Sequence, residues 1–227
     1  MSAVSSSVTS TGYGFMSEKK SDKIRFISHR INSLSDYPAK DFKGIEFDIR
    51  DSNGLILVTH DAFSSGMELE SFVIRLPKLD EFLYIVNVKS EGIEEKAREI
   101  LERNEIKNFF FLDSSFPTIV RMSNEGEKRF AIRSSEYESI QTAIEMYGKV
   151  NWLWVDCFTK FVPEHVMIAK GIGYNICLVS PELHKHSDYI SRIHTMCEQI
   201  KKYHLVIDAI CCKPTTLNIW KSYLDEE

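Results

Sequence analysis

The sequence contains no apolar run long enough to span a membrane, and its first 22 residues lack the apolar block of a secretory signal. Neither a transmembrane segment nor an export signal is therefore expected. Basic charge is not in excess: 28 Lys and Arg against 33 Asp and Glu leave a net charge of -5. That balance argues against nucleic acid as the main partner, because phosphate backbones select dense Lys/Arg surfaces, although a basic spot for a single phosphate is compatible with it. The five cysteines form no Cys-x-x-Cys pair, and three fall in strand-like apolar runs. They read as buried free thiols of a reducing, cytoplasmic compartment rather than a disulfide framework. No glycine-rich loop follows the first strand, and no repeat of 20–50 residues is visible. What remains is a chain of 227 residues, 43% hydrophobic and 27% charged, of ordinary globular composition and the size of one domain. Residues 1–22, rich in Ser and Thr, read as a disordered leader, and residues 23–227 as the domain.

The stretch Ile45–Asp61, IEFDIRDSNGLILVTHD, organises the domain. In a strand, residues i and i+2 share a face, so Glu46 and Asp48 line one wall while Ile45, Phe47 and Ile49 pack on the other. Two carboxylates that close repel by ~4 kcal/mol at 4 Å and an effective dielectric near 20, so a cation, a salt bridge or open water must compensate them. Asn53-Gly54 is a hairpin turn signal, and the returning arm Leu55–Val58 brings His60 back towards the carboxylates. The stretch reads as one wall of a metal site with a histidine beside it.

Around this stretch the chain alternates. Apolar strands are expected at 23–28, 45–50, 83–89, 108–112, 129–133, 151–155, 175–179 and 205–211. Helices are expected at 93–106, 116–122, 137–147, 163–170, 188–203 and 216–224, with a helix-and-loop mixture at 69–82 and a helical turn near Ala39. Eight such units predict a closed (β/α)8 barrel, a TIM barrel, as a single domain with a small hairpin insertion after the second strand; an open doubly wound sheet is the alternative. In such a barrel the chemistry sits at the C-terminal strand ends. Here those ends hold His29, Arg30, Asp48, Asn87, Lys89, Asp113, Glu136, Asp156 and Glu182.

His29-Arg30, then Glu46-x-Asp48 on the second strand, then His60-Asp61, then Asn87-x-Lys89 on the third, resemble the glycerophosphodiester phosphodiesterase family in identity and order. Later segments, FFFLDSS, RSSEYES, WLWVDCF and CLVSPELH, resemble a compact bacterial branch of it, so the likeness spans residues 24–212. The resemblance implies a metal-dependent phosphodiesterase acting on a glycerophosphodiester-like or other small phosphodiester. By it, His29 and His60 are the general base and general acid, in either order, because an imidazole titrates near neutrality. Glu46 and Asp48, with Asn87 and Asp113, are implied ligands of Mg²⁺ or Ca²⁺. Arg30 and Lys89 are implied phosphate clamps.

The chain also departs from the family pattern. Asn87 stands where the family has a third acid, Ile31 replaces the glycine after His-Arg, the first crossover is short, and Cys211-Cys212 replaces a Thr-Asp pair. Two alternatives therefore stay open: a weakened barrel that binds a phosphorylated ligand, in surface-polysaccharide assembly for example, and a lyase releasing a cyclic phosphate. Glu46 and Asp48 could instead be salt-bridged to Arg30, Lys89 or Arg50. Glu136 and Glu182 read as solvated loop carboxylates, Trp152, Trp154 and Phe109–Phe111 as core or barrel wall, and His184 and His186 as surface or pocket rim.

Overall fold

A computed structural model describes residues 24–38 and 41–225. The leader at 1–22 and the turn near Ala39 lie outside the described residues.

The described residues form ten strands: β1 Arg25–Ser28, β2 Gly44–Ser52, β3 Leu55–Val58, β4 Met67–Glu68, β5 Leu83–Val88, β6 Phe109–Leu112, β7 Ala131–Ser134, β8 Trp152–Val155, β9 Asn175–Val179 and β10 Ala209–Cys212. Seven α-helices accompany them: α1 Leu69–Val73, α2 Glu94–Arg103, α3 Phe116–Asn124, α4 Gln141–Glu145, α5 Pro163–Gly171, α6 Tyr189–Lys202 and α7 Leu217–Asp225. The parallel strands run β7-β8-β9-β10-β1-β2-β5-β6 around a ring. The ring meets itself between β6 and β7 through a single bridge, Phe111 to Phe130, with the Phe111 N–H donating to Arg129 O at 2.8 Å. The architecture is the expected (β/α)8 barrel, with one seam barely laced.

Alternation along the strands divides the apolar residues into two separate clusters. Ile45, Phe47 and Ile49 of β2 join the outer cluster, which packs the barrel against its helices. Ile27, Leu83, Ile85, Phe110, Leu112, Trp152, Trp154, Cys177, Val179 and Cys211 belong to the inner one, which fills the lumen. The inward face of β2 contributes nothing apolar to that filling: it presents Gly44, Glu46 and Asp48. At Gly44 a Cβ would lie 2.3 Å from the Leu83 carbonyl oxygen and 2.5 Å from Ile27 Cδ1, so only glycine lets the lumen floor close there. All five cysteines are buried, with no disulfide among them.

The hairpin insertion is present. β3 runs antiparallel to β2 in the register Ile49 to Val58, and the turn residues Asn53 and Gly54 have φ of 51° and 78°. Positive φ at both central positions is the twist-matched geometry that Asn-Gly favours. A short β4 then extends the hairpin.

The first crossover is loop with a 3-10 turn at Leu34–Asp36, in keeping with its short, polar sequence. One expected element differs. The helix expected over 137–147 shrinks to α4, because the Ser135 hydroxyl accepts the Tyr137 and Glu138 N–H groups and holds that segment as a turn. No helix among the described residues is long and apolar enough to cross a membrane.

Candidate active site

The C-terminal mouth holds a cleft of 390 Å³ lined by residues from most of the barrel strands, among them His29, Arg30, Glu46, Asn87, Lys89, Asp113, Arg133, Asp156 and His184. The carboxylates come first, because their burial dictates the rest. Glu46 and Asp48 are each only 1% exposed, a placement that costs several kcal/mol per charge unless partners compensate.

Their partners come from neighbouring strands and from the loop after β1. Asn87 lies beside Asp48 in the β2–β5 register and donates its Nδ2 to Glu46 Oε1 at 2.8 Å. Asn32 donates Nδ2 to Asp48 Oδ2 at 2.8 Å and accepts the Asp48 N–H through Oδ1 at 2.9 Å. Arg30 has φ of 55°, an uncommon backbone for a side chain with a Cβ. That turn aims its N–H at Glu46 Oε2, 2.6 Å away. Cations complete the set: Arg30 Nε is 3.8 Å and Lys89 Nζ 3.6 Å from Asp48 oxygens. The ion-pair alternative read from sequence thus holds for Arg30 and Lys89. Arg50 instead donates to the His60 carbonyl oxygen at 3.0 Å. Even so, burial first and the Asp48 charge second hold the Glu46 carboxyl well above the usual carboxylate range.

His29 follows β1 directly, and its Nε2 is 3.7 Å from Glu46 Oε2. Burial, then the positive charges of Arg30, Lys213 and Lys89, push its pKa down to about 3. The ring is therefore neutral near pH 7, with a free lone pair whose basicity is low until an anion offsets those cations. His60 follows β3, at the end of the hairpin arm that runs back along β2. Its Nδ1 is 2.7 Å from Asp61 Oδ1, and its side chain is 36% exposed. The hydrogen bond to His60, followed by its charge, lowers the Asp61 pKa.

Asp113, expected as a ligand, is occupied otherwise. One oxygen takes Lys89 Nζ at 3.0 Å and the other Arg133 Nη2 at 2.6 Å, so it would have to give up two cations to reach a metal. Among the described residues no three His, Cys, Asp or Glu side chains converge as a ligand cluster. Counting an amide oxygen changes the picture. Asp48 Oδ1 and Asn87 Oδ1 are both buried and accept no hydrogen bond, which leaves acceptor lone pairs beside Glu46. Two carboxylates and an amide oxygen with unused acceptor capacity fit a hard, oxygen-seeking cation.

Two residues at the mouth escaped the sequence reading. Asn32 gave no signal beyond lying in a polar loop. Arg133 lies near the end of β7, a position that could have raised it; Asp156, named among the strand ends, and His184, read as surface or pocket rim, both line the cleft. Arg133 pairs with both Asp113 and Asp156, and His184 Nε2 is 3.1 Å from Asp156 Oδ1. His184 is thus part of the cleft wall, and His186 reaches towards the Cys157 carbonyl oxygen at 3.4 Å. The loop carboxylates were misjudged. Glu182 is buried and accepts from Lys213 N–H at 2.9 Å and Thr216 Oγ1 at 2.7 Å, tying the loops after β9 and β10 together. Glu136 accepts backbone N–H groups of Phe158, Thr159 and Lys160 and fixes the loop after β8. Trp152, Trp154 and Phe109–Phe111 are core or wall, as expected, and Trp154 also reaches the cleft.

No family model matches the sequence, and no curated protein matches it at a significant level. Its architecture does have solved counterparts. A candidate glycerophosphoryl diester phosphodiesterase from Agrobacterium tumefaciens superposes with a TM-score of 0.62 at 15% identity, covering 89% of this chain and 99% of the other. A glycerophosphodiester phosphodiesterase from the same organism gives a TM-score of 0.60 at 10% identity, covering 88% and 100%. The chain therefore has the barrel fold of these phosphodiesterase structures, the fold that the order of residues in its own sequence implied.

Proposed function

We propose that the protein cleaves small phosphodiesters of the glycerophosphodiester type, with His29 as general base and His60 as general acid. The observation that supports this reading most is the near half of the mouth. There a neutral imidazole stands beside two buried carboxylates, with Asp48 Oδ1 and Asn87 Oδ1 as unspent acceptors, and Arg30 and Lys89 flank them. Such a site draws in an anion through its cations while keeping a base available.

Arg30 and Lys89 hold the phosphate, Arg through its planar fork and Lys as a point charge. His29 takes the proton from the attacking hydroxyl, which belongs to water or to the substrate's own neighbouring alcohol. The new P–O bond forms, the opposite P–O bond breaks, and His60 protonates the departing alcohol. Glu46, Asp48 and the Asn87 amide would hold Mg²⁺ or Ca²⁺, and such an ion supplies neutralisation of charge building on the phosphoryl oxygens.

The test is release of alcohol from glycerophosphodiesters or bis(p-nitrophenyl) phosphate with Mg²⁺ or Ca²⁺, beside His29→Ala. A loss of roughly 10²–10⁴-fold is expected for removal of the base. Equal release by both proteins would end the catalytic claim. Asn87 in the place of an acid, together with the ion pairs already made by Lys89 and Asp113, favours a second reading in which the ligand is held with little turnover. Phosphorus NMR of the product separates hydrolysis from release of a cyclic phosphate.

A further inference from the structure

The reaction above uses only half of the mouth. In the other half, Arg133 lies between Asp113 and Asp156, and the His184 ring packs against Phe158 with centroids 4.5 Å apart. The 390 Å³ cleft shares Asp113, Arg133 and Glu138 with a second hollow of 530 Å³, a trough that adjoins it across the Asp113–Arg133 pair. Its depth comes from the barrel itself. β5 and β6 stay paired through Asn87 and Leu112, and β7 and β8 through Ser134 and Val155. Between β6 and β7, by contrast, the pairing consists of the bridge between Phe111 and Phe130, with no ladder pair among the described residues beyond it towards the mouth.

The trough has an amphipathic lining. Its floor is apolar, with Ile119, Ala131 and Ile132 all buried, and Phe116 stands half exposed at its edge. Over that floor stand polar groups with capacity to spare. Ser114 Oγ is buried and has no partner, Ser139 is exposed at the rim, and Glu138 takes one hydrogen bond, from Ser135.

We propose that this trough is the subsite for one alcohol arm of the phosphodiester, and that the arm is a hydroxyl-rich ring, a sugar or a cyclitol. The inference rests on the phosphodiester reading of the mouth, because Asp113 and Arg133 place the trough directly beside Lys89. A ring polyol offers C–H faces to the apolar floor and hydroxyls to Ser114, Glu138 and Arg133. An acyl chain would bury those polar groups against hydrocarbon with nothing to bond. A short amino alcohol would leave most of the hollow, and the Ser114 hydroxyl, unserved.

The experiment is titration calorimetry in metal-free buffer, with turnover measured in parallel with Mg²⁺. The probes are glycerophosphoinositol, a glucose-bearing glycerophosphodiester, glycerophosphoethanolamine and monomeric lysophosphatidylethanolamine. The two ring-bearing diesters are expected to bind at least about tenfold more tightly than the ethanolamine diester. Ser139→Trp, which fills the rim from an exposed position, and the isosteric Glu138→Gln should each erode that margin. Equal affinities, preference for the acylated probe, no binding of any probe, or a margin untouched by both variants would overturn the assignment. Ring-selective binding without turnover supports the subsite and removes the catalytic reading; turnover without ring selectivity does the opposite.

Discussion

Asn87→Asp probes the carboxylate site most directly. Asn87 donates to Glu46 Oε1 at 2.8 Å and keeps its own Oδ1 without a partner. Aspartate removes the donor and adds a third acid beside two that are almost fully buried. Loss of a hydrogen bond to a charged group costs about 1.5–3 kcal/mol, and a further like charge near 4 Å costs ~4 kcal/mol at an effective dielectric of 20. Proton uptake by the cluster relieves part of this, and Glu46, already pushed upward by burial and by Asp48, is the group placed to take it. A net destabilisation of roughly 2–4 kcal/mol near pH 7.5 follows, which for a chain of this size lowers Tm by roughly 5–15 °C. Divalent cation reverses the sign of the argument, since three acids bind it better than two and an amide. Ion at one hundred times Kd returns ~2.7 kcal/mol. Thermal melts in EDTA, Mg²⁺ and Ca²⁺ measure both effects. The variant should melt lower than wild type in EDTA and gain more from metal. A variant as stable as wild type in EDTA, or one with the same metal increment, would refute the account of the carboxylates as an undercompensated cation site.

Three further outcomes are expected. His29 is held neutral with a pKa of about 3, so between there and ~6.5 the unfolded chain binds a proton that the folded one does not. Stability should therefore fall as pH drops below ~6.5, by up to ~1.4 kcal/mol per pH unit from this group; His29→Gln should flatten the slope of denaturant midpoints against pH, and an unchanged slope would count against the assignment. Gly44→Ala forces a Cβ against Leu83 O and Ile27 Cδ1, and an overpacking loss of about 1–3 kcal/mol should appear in chemical denaturation; a neutral result would mean that the lumen floor yields. Asn53→Val places a β-branched residue at φ of 51° in the hairpin turn, so activity should decline with little change in global unfolding, because His60 rides on that hairpin.

The barrel is legible in the periodicity of the chain. The alternation of Ile45, Phe47 and Ile49 with Glu46 and Asp48 states which side faces the helices and which the lumen, and the Asn-Gly pair states how β2 turns back. Roles that depend on two distant segments were less legible. Glu182 looked like a loop acid because its partners, Lys213 N–H and Thr216, lie more than 30 residues onward. Asp113 has a ligand's position on its strand, but Lys89 and Arg133 from the flanking strands claim both its oxygens. Over Tyr137–Tyr147 a single hydroxyl at Ser135 outweighed the helical pattern at its start.

The join at Phe111–Phe130 also bears on how the molecule fails. A ring fastened there by one bridge, with the Asp113–Arg133 pair clasped above it, can uncurl into an open sheet without breaking any other ladder. Opening it bares β7 on one side and Phe109-Phe110-Phe111-Leu112 on the other, the latter a short uncharged aromatic edge of the kind that recruits further chains. Heat-induced clumping should begin from that margin, and any bound compound that bridges the clasp should delay it.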